Sequence, residues 1–162
     1  MDVSTVYDSP LGELRLTGEE SPGGVVLTTL SLPGQPIRPA DRADRLFTEA
    51  LRQLDAYFAG RLTRFDLPCA ARGTDFQQSV WRALDDIPYG TTTTYGELAD
   101  LLGVERAEIR AVGAAVGANP LLLIRPCHRV IGADGSMRGY AGGVENKVRL
   151  LTHEGALQPM LG

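Results

Sequence analysis

TYGELADLLGVERAEIRAVGAAVGA, residues 94–118, decides how the chain is read. Thr94 with Glu97 three positions on fits a capping box, in which the hydroxyl caps the helix and the carboxylate reaches back to the free backbone N–H. The helix opened there, YGELADLL, stops at Gly103. A second helix covers roughly 105–118, with Ile109, Val112 and Val116 facing inward. Two short helices joined at a glycine, the second bearing arginines, make a helix-turn-helix candidate, although helical hairpins also occur in ordinary cores. Outside its apolar stripe the second helix is almost wholly small: Ala107, Ala111, Gly113, Ala114, Ala115, Gly117 and Ala118. A glycine within a helix costs about 1 kcal/mol relative to alanine, so something offsets that cost. Close packing against a neighbouring helix is one answer. The other is a slim face for a nucleic-acid groove: a helix with its side chains is about 10–12 Å wide, whereas the minor groove is about 6 Å. Arg110 is then the one long side chain on that face.

Immediately downstream comes LIRPCHRVIG, residues 123–132. The chain has two cysteines and two histidines, and this stretch places one of each side by side between arginines. A cysteine is most often a small buried hydrophobe; it becomes a nucleophile as the thiolate, which needs positive charge or a base nearby. Neighbours on an extended chain point to opposite sides, so Cys127 and His128 are expected to communicate through a bridging water. Five arginines (106, 110, 125, 129, 138) stand against Glu108 and Asp134, a local excess of three positive charges in a chain of net charge −4. That focused patch suits a small anionic footprint; a solvated face with ion pairs explains it equally well.

Upstream, TVYDSPLGELRLTG alternates around a Ser9-Pro10-Leu11-Gly12 turn, and GGVVLTTLSL is a β-branched run, so residues 1–32 read as short strands. The proline-rich 33–40 is a loop. Residues 41–60 read as one helix, with an apolar stripe from Leu46 to Phe58 and Gly60 as its stop. Residues 61–74 link two halves. A further helix starts at the Thr74 N-cap, with Phe76, Val80, Trp81 and Leu84 on its inner face. The division is 1–72 for an N-terminal α/β domain with its linker, and 73–162 for a C-terminal domain.

At 162 residues and 43% hydrophobic the chain can build a core without staples. The Met1-Asp2-Val3 start carries no basic region before an apolar stretch, so no signal peptide is expected, and the longest apolar run, Leu121 to Ile124, is too short to span a bilayer. A cytoplasmic location is expected, with Cys69 and Cys127 as thiols. Cys69 matches no motif and is expected to be buried and structural. Cys69, Cys127, His128 and His153 lack paired ligand spacing, so no metal site is expected.

The stretches GTDFQQSVWRAL, IPYG, TYGELA, RAVGAAVGANP, PCHRVIG, GYAGG and the K-x-x-L-L-x-x-E from Lys147 to Glu154 come in an order and spacing that resemble the O6-alkylguanine-DNA alkyltransferases (methylated-DNA–protein-cysteine methyltransferases). The resemblance is tight over about 74–155 and looser over 1–60. It implies an α/β fold, with an N-terminal antiparallel sheet and helix of ribonuclease H-like form followed by a winged-helix-like helical domain carrying the helix-turn-helix. It implies Cys127 as alkyl acceptor, His128 as its base through water and Glu154 holding His128. Tyr95 supports the flipped guanine, Asn119 buttresses the turn before the cysteine, and Lys147 supports the glycine-rich loop. Arg110, Tyr95, Ala107, Ala111, Gly113 and Ala114 meet DNA, while Tyr140, Ala141 and Arg129 form the substrate pocket. The implied partner is double-stranded DNA with alkylated bases, O6-alkylguanine first and O4-alkylthymine second, acted on by a monomer without cofactor or metal.

The chemistry matches those residue types. Displacement at an sp³ carbon wants a soft anionic sulfur, and a free thiol is only a few per cent ionised at neutral pH. His128 as base, with Glu154 stabilising the imidazolium, raises that fraction. The thioether product has nothing here to reverse it, so one molecule repairs one base. Two other readings stand beside this: a non-catalytic alkylation-damage binding protein, and a cysteine hydrolase unrelated to DNA. An intact PCHRV argues against the first. The second leaves the Ala/Gly helix and Arg110 unexplained.

Overall fold

The computed structural model describes residues 2–137 and 139–157. Met1 and Arg138, both named above, lie outside them. The chain forms two compact units, Met1–Arg72 with Pro120–Ile124, and Gly73–Asn119 with Arg125–Gly162.

In the first unit, β1 (Asp2–Ser9) and β2 (Gly12–Ser21) form the expected hairpin, paired in register from Asp2↔Glu19 to Ser9↔Gly12. Ser9 closes its turn twice: the hydroxyl accepts from the Leu11 N–H at 3.0 Å and donates to the Gly12 carbonyl at 2.7 Å. β3 (Gly24–Ser31) extends the sheet, with a bulge at Thr17/Gly18. The antiparallel sheet expected here is present and gains one short parallel strand, whereas the helix expected from 41 starts later. Residues Asp41–Arg42 form β4, a two-residue strand parallel to β1, and the sheet order is β3-β2-β1-β4. β1 would otherwise present an unpaired edge, and Pro36 and Pro39 deny the approach a helical backbone. The Ala43 N–H donates to the Ser4 carbonyl at 2.8 Å, and only then does the chain turn through a 3₁₀ segment (Asp44–Phe47) into α1 (Thr48–Phe58). The core of this unit gathers Leu14, Leu16, Leu27, Leu30, Phe47, Leu54 and Tyr57.

Pro120–Ile124 joins this unit although the 72/73 division assigns it to the second half. Leu30 N–H donates to the Pro120 carbonyl at 2.9 Å, and Leu122 N–H to the Leu30 carbonyl at 3.3 Å. Leu123 holds φ at 70°, in a tight turn closed by Ile124 N–H on the Leu122 carbonyl at 2.7 Å. Such a conformation is strained for a branched side chain, and its burial holds it there.

Cys69 departs from expectation. It is exposed, and its backbone, not a buried side chain, ties it to the sheet as a bridge to Leu27.

The second unit opens with α2 (Asp75–Leu84). Its N-terminus carries a complete capping box where only the Thr74 cap was expected, Thr74 accepting from Gln77 N–H while Gln77 accepts from Thr74 N–H. Val80, Trp81 and Leu84 are buried, but Phe76 is exposed, because a first-turn residue of this short helix overhangs its packed face. At α3 (Tyr95–Leu101) the box is only half formed: Thr94 caps Glu97 N–H, and the Glu97 carboxylate accepts from the Thr93 hydroxyl at 3.3 Å. Gly103, at φ 70°, makes the turn. A 3₁₀ segment (Arg106–Glu108) leads into α4 (Ile109–Gly117). Val112, Ala115 and Val116 are buried, and the Trp81 indole N–H donates to the Ala115 carbonyl at 2.8 Å, locking α2 to α4. Two-residue strands β5 (Thr93–Thr94) and β6 (Val130–Ile131) pair in parallel, and α5 (Val144–His153) closes the unit. No helix among the described residues is long and apolar enough to cross a membrane.

Candidate active site

Cys127 lies in a 3₁₀ turn, Cys127–Arg129, and not on the extended chain expected for it. Pro126 (φ −80°, ψ 58°) bends the backbone so that Cys127 N–H donates to the Arg125 carbonyl at 2.7 Å, and β6 begins only afterwards. Cys127, His128 and Arg129 are all buried. His128 Nε2 meets Glu154 Oε2 at 2.8 Å, which turns the ring toward α5.

Glu154 is held from two sides. Besides His128, Arg129 donates from Nε to Oε1 at 2.8 Å and from Nη2 to Oε2 at 3.0 Å, and from Nη1 to the Ile87 carbonyl at 2.6 Å. Burial raises the Glu154 carboxyl, but the hydrogen bonds and charges of His128 and Arg129 outweigh it and bring it down to about 2. It is therefore a carboxylate, and His128 Nε2–H is the donor. Burial in turn lowers His128, against Glu154 and with help from Arg129 and Lys147, so the ring is neutral. Neutral imidazole carrying its proton on Nε2 has a lone pair on Nδ1, and Nδ1 is buried with no partner among the described residues. A ring with a basic nitrogen left unpartnered can take a proton.

The thiol is neutral as well. Burial pushes Cys127 up to about 11, while a hydrogen bond from Asn119 and the positive charges of Lys147 and Arg125 pull the other way. Desolvation is the largest influence on the thiol, so burial works against the ionised fraction that His128 is expected to raise. Asn119 is buried at the end of α4 and its Nδ2 also donates to the Arg125 carbonyl at 3.2 Å, which ties helix and cysteine turn together. Lys147 is buried and donates to the Val130 carbonyl at 2.6 Å, which ties α5 to the strand after the cysteine.

Tyr95, the first residue of α3, is half-buried, and its hydroxyl is raised by burial and by proximity to Cys127. Its ring passes Gly113 of α4. Its hydroxyl sits 3.0 Å from where a Cβ on Gly139 would be, so a side chain at 139 would displace it. Tyr140 is buried with its hydroxyl unpartnered among the described residues, and its ring meets His128 edge-on at 6.4 Å. Ala141 is exposed beside it. Arg129, expected in the pocket wall, is instead buried against Glu154, with Tyr89 stacked 5.7 Å away. A carboxylate buried next to a neutral ring demands a cation, and that rule was the available signal for Arg129's place.

The second helix presents its small residues outward: Ala107, Ala111, Ala114, Gly117 and Ala118 are exposed, as is Arg110, and Gly113 is half-buried. The packing alternative therefore accounts for Ala115 and not for the rest. The arginine patch thins out. Arg129 serves Glu154, Arg106 lies 3.6 Å from Asp100, and Arg125 is drawn to Asp85, leaving Arg110 as the exposed arginine on the slim face. Among the described residues no cluster of three or more His, Cys, Asp or Glu could hold a metal.

Two family models match. Residues 3–71 fit the ribonuclease-like domain of 6-O-methylguanine DNA methyltransferase, and residues 75–156 fit its DNA-binding domain. A methylated-DNA–protein-cysteine methyltransferase of Mycobacterium bovis is 49% identical over 156 residues, covering 94% of this chain and 92% of its own. One of Methanosarcina acetivorans is 46% identical over 154 residues, covering 93% and 97%. The crystal structure of Mycobacterium tuberculosis OGT in complex with DNA superimposes with a TM-score of 0.88 at 48% identity, covering 95% of this chain and 93% of that one.

Proposed function

The chain belongs to the methylated-DNA–protein-cysteine methyltransferase family, and from that premise we propose that it repairs duplex DNA by moving the alkyl group of O6-alkylguanine onto its own Cys127. The observation that carries the reading is the buried set Cys127, His128, Glu154 and Arg129, in which His128 is held by Glu154 through Nε2 and keeps a buried Nδ1 without a partner among the described residues.

In the proposed step the Cys127 proton passes to His128 Nδ1 through a bridging water, and the Glu154 carboxylate, fixed by Arg129, stabilises the imidazolium. The sulfur attacks the alkyl carbon; the S–C bond forms and the C–O6 bond breaks. Its electron pair goes to the guanine, where the Tyr95 hydroxyl supports the developing charge. Burial shifts both Cys127 and His128 toward their neutral forms, which fits an ionisation that is coupled to substrate arrival. The product is a thioether, so each molecule acts once.

The target carbon cannot meet a buried sulfur inside a stacked duplex. Flipping the nucleotide costs a few kcal/mol, less for a lesion that pairs badly. The exposed Ala/Gly face of α4 suits close approach to the minor groove, and Arg110 would fill the gap that the nucleotide leaves. Tyr140 and Ala141 would wall the base pocket. The protein works as a monomer and without cofactor.

The test is duplex DNA carrying radiolabelled O6-methylguanine, incubated with the protein and followed by proteolysis. Label on the Cys127 peptide is expected. Label retained on bound DNA would favour a non-reactive damage binder, and label on the exposed Cys69 would contradict the site.

A further inference from the structure

Three glycines of the loop between β6 and α5 hold positive φ: Gly135 at 83°, Gly139 at 92° and Gly143 at 96°. A Cβ in that region costs conformational energy wherever it stands. What differs is the space around it. Among the described residues, a Cβ built on Gly135 or Gly143 meets nothing within 4 Å, so backbone conformation is reason enough for glycine there. A Cβ on Gly139 meets one atom within that range, the Tyr95 hydroxyl oxygen, at 3.0 Å. Gly139 is exposed, so no core packing asks for its bareness. The oxygen that it admits is the polar end of a half-buried ring beside Gly113 of α4. Burial raises that hydroxyl above its ordinary value, so it keeps its proton and can donate.

We propose that Gly139 is a positioning residue for alkyl transfer: its missing side chain lets the Tyr95 hydroxyl stand where it supports the guanine as charge develops. The inference rests on the role given to Tyr95 in the proposed function. A methyl group at 139 would force the oxygen back by a few tenths of an ångström. Support at a reacting centre is sensitive to shifts of that size. A misplacement of about 1 Å costs about 10²-fold, so a few tenths should cost about fivefold. The loop and the first residue of α3 are thereby fitted to each other.

Single-turnover transfer from an O6-methylguanine duplex is measured at saturating protein, and affinity on an unmodified duplex, for wild type, Gly135→Ala, Gly139→Ala, Tyr95→Phe and the double variant Gly139→Ala with Tyr95→Phe. Gly135→Ala imposes the same left-handed strain without the contact. It should lose thermal stability while the folded protein transfers at the wild-type rate. Gly139→Ala should lose stability similarly, bind duplex as tightly as wild type, and transfer about fivefold more slowly. Tyr95→Phe should be slowed by about 10²-fold, the usual worth of one such donor. The double variant lacks the oxygen that the methyl group would meet, so it should be no slower than Tyr95→Phe. Additive losses in the double variant, Gly135→Ala slowed like Gly139→Ala, or Gly139→Ala as fast as wild type would overturn the proposal. Should Gly139→Ala fail to fold, Gly139→Asn takes its place, since asparagine tolerates positive φ and carries the same Cβ. It must then show the same loss, and the same absence of any further loss in Tyr95→Phe. Wild type that places no methyl on Cys127, or Tyr95→Phe that transfers as fast as wild type, would instead defeat the functional reading beneath it.

Discussion

The two units bury different kinds of polar group. Among the described residues of the first, the buried polar side chains are Ser4, Thr5, Thr17 and Gln53, none of them charged. Gln53 is representative, since its amide donates to the Asp66 carbonyl and accepts from the Asp66 N–H, both at 2.9 Å, pinning the chain after α1. In the second, the buried set is Asn119, His128, Arg129, Lys147 and Glu154, four of which can carry charge. Burying ions costs several kcal/mol each before pairing, and a well-packed apolar replacement is often as stable. The first unit solves a packing problem with neutral hydrogen bonds. The second maintains ions that packing did not need, and the difference marks where chemistry is done.

The largest expected effect removes the anchor of that ionic set. Glu154→Ala should lower transfer by about 10²–10⁴-fold, the usual worth of a general base. It should also cost about 3–5 kcal/mol in urea unfolding, because Arg129 is left buried without its carboxylate. Glu154→Gln serves as the second variant if alanine does not fold. Gln53→Ala is the matched change in the first unit: about 1–3 kcal/mol of stability for the orphaned Asp66 backbone groups, with the transfer rate of folded protein unchanged. Equal losses of transfer in both would erase the contrast.

Next comes the slim helix. Arg110→Ala should weaken transfer on duplex DNA about tenfold, in line with the ~1–3 kcal/mol that one arginine contact to DNA contributes. Ala114→Leu should act in the same direction by holding the helix off the groove. Both positions are exposed, so melting should move little. A drop in Tm that tracks the loss of transfer would mean that the small face serves packing after all.

The smallest effect is a pH dependence. Glu154 is held at about 2, below the ordinary carboxylate, so its contribution to stability is complete above the unfolded value and is lost as pH falls toward 2. His128 is also lowered, by burial first, so its share starts to go once pH drops below the unfolded imidazole value of about 6.5. The signs agree: the second unit weakens in acid. Trp81, the only tryptophan, reports on that unit directly, and its unfolding midpoint in urea should fall between pH 7 and pH 3, less steeply in Glu154→Gln. In the first unit Asp44 is lowered chiefly by its hydrogen bond from Arg42, but that pair is exposed and should contribute little.

Much of this was legible in the chain. The Ser9–Gly12 hairpin, the Thr74 and Thr94 caps, the glycine between α3 and α4, and the Cys127-His128 pair all carry local signals: turn chemistry, capping residues, reactive types side by side; Glu154 came only through the family resemblance. What escaped lacks such signals. A two-residue strand such as Asp41–Arg42 has no periodicity to read; the free edge of β1 creates it. Phe76 and Cys69 look buried by residue type, yet where they sit is set by how a short helix and a backbone bridge pack. Arg129 sits in the same run as Cys127, but its partner is a carboxylate 25 positions later, and Ile87 supplies the other acceptor. The upward shift of the Cys127 thiol comes from burial, which no pattern of residues reveals.

The most direct measurement counts methyl groups. With labelled O6-methylguanine duplex in tenfold excess over protein, the account predicts that transfer stops at one methyl per molecule, all of it on Cys127, and that Cys127→Ser transfers none. Continued turnover beyond one equivalent, or removal of the lesion by Cys127→Ser, would contradict it.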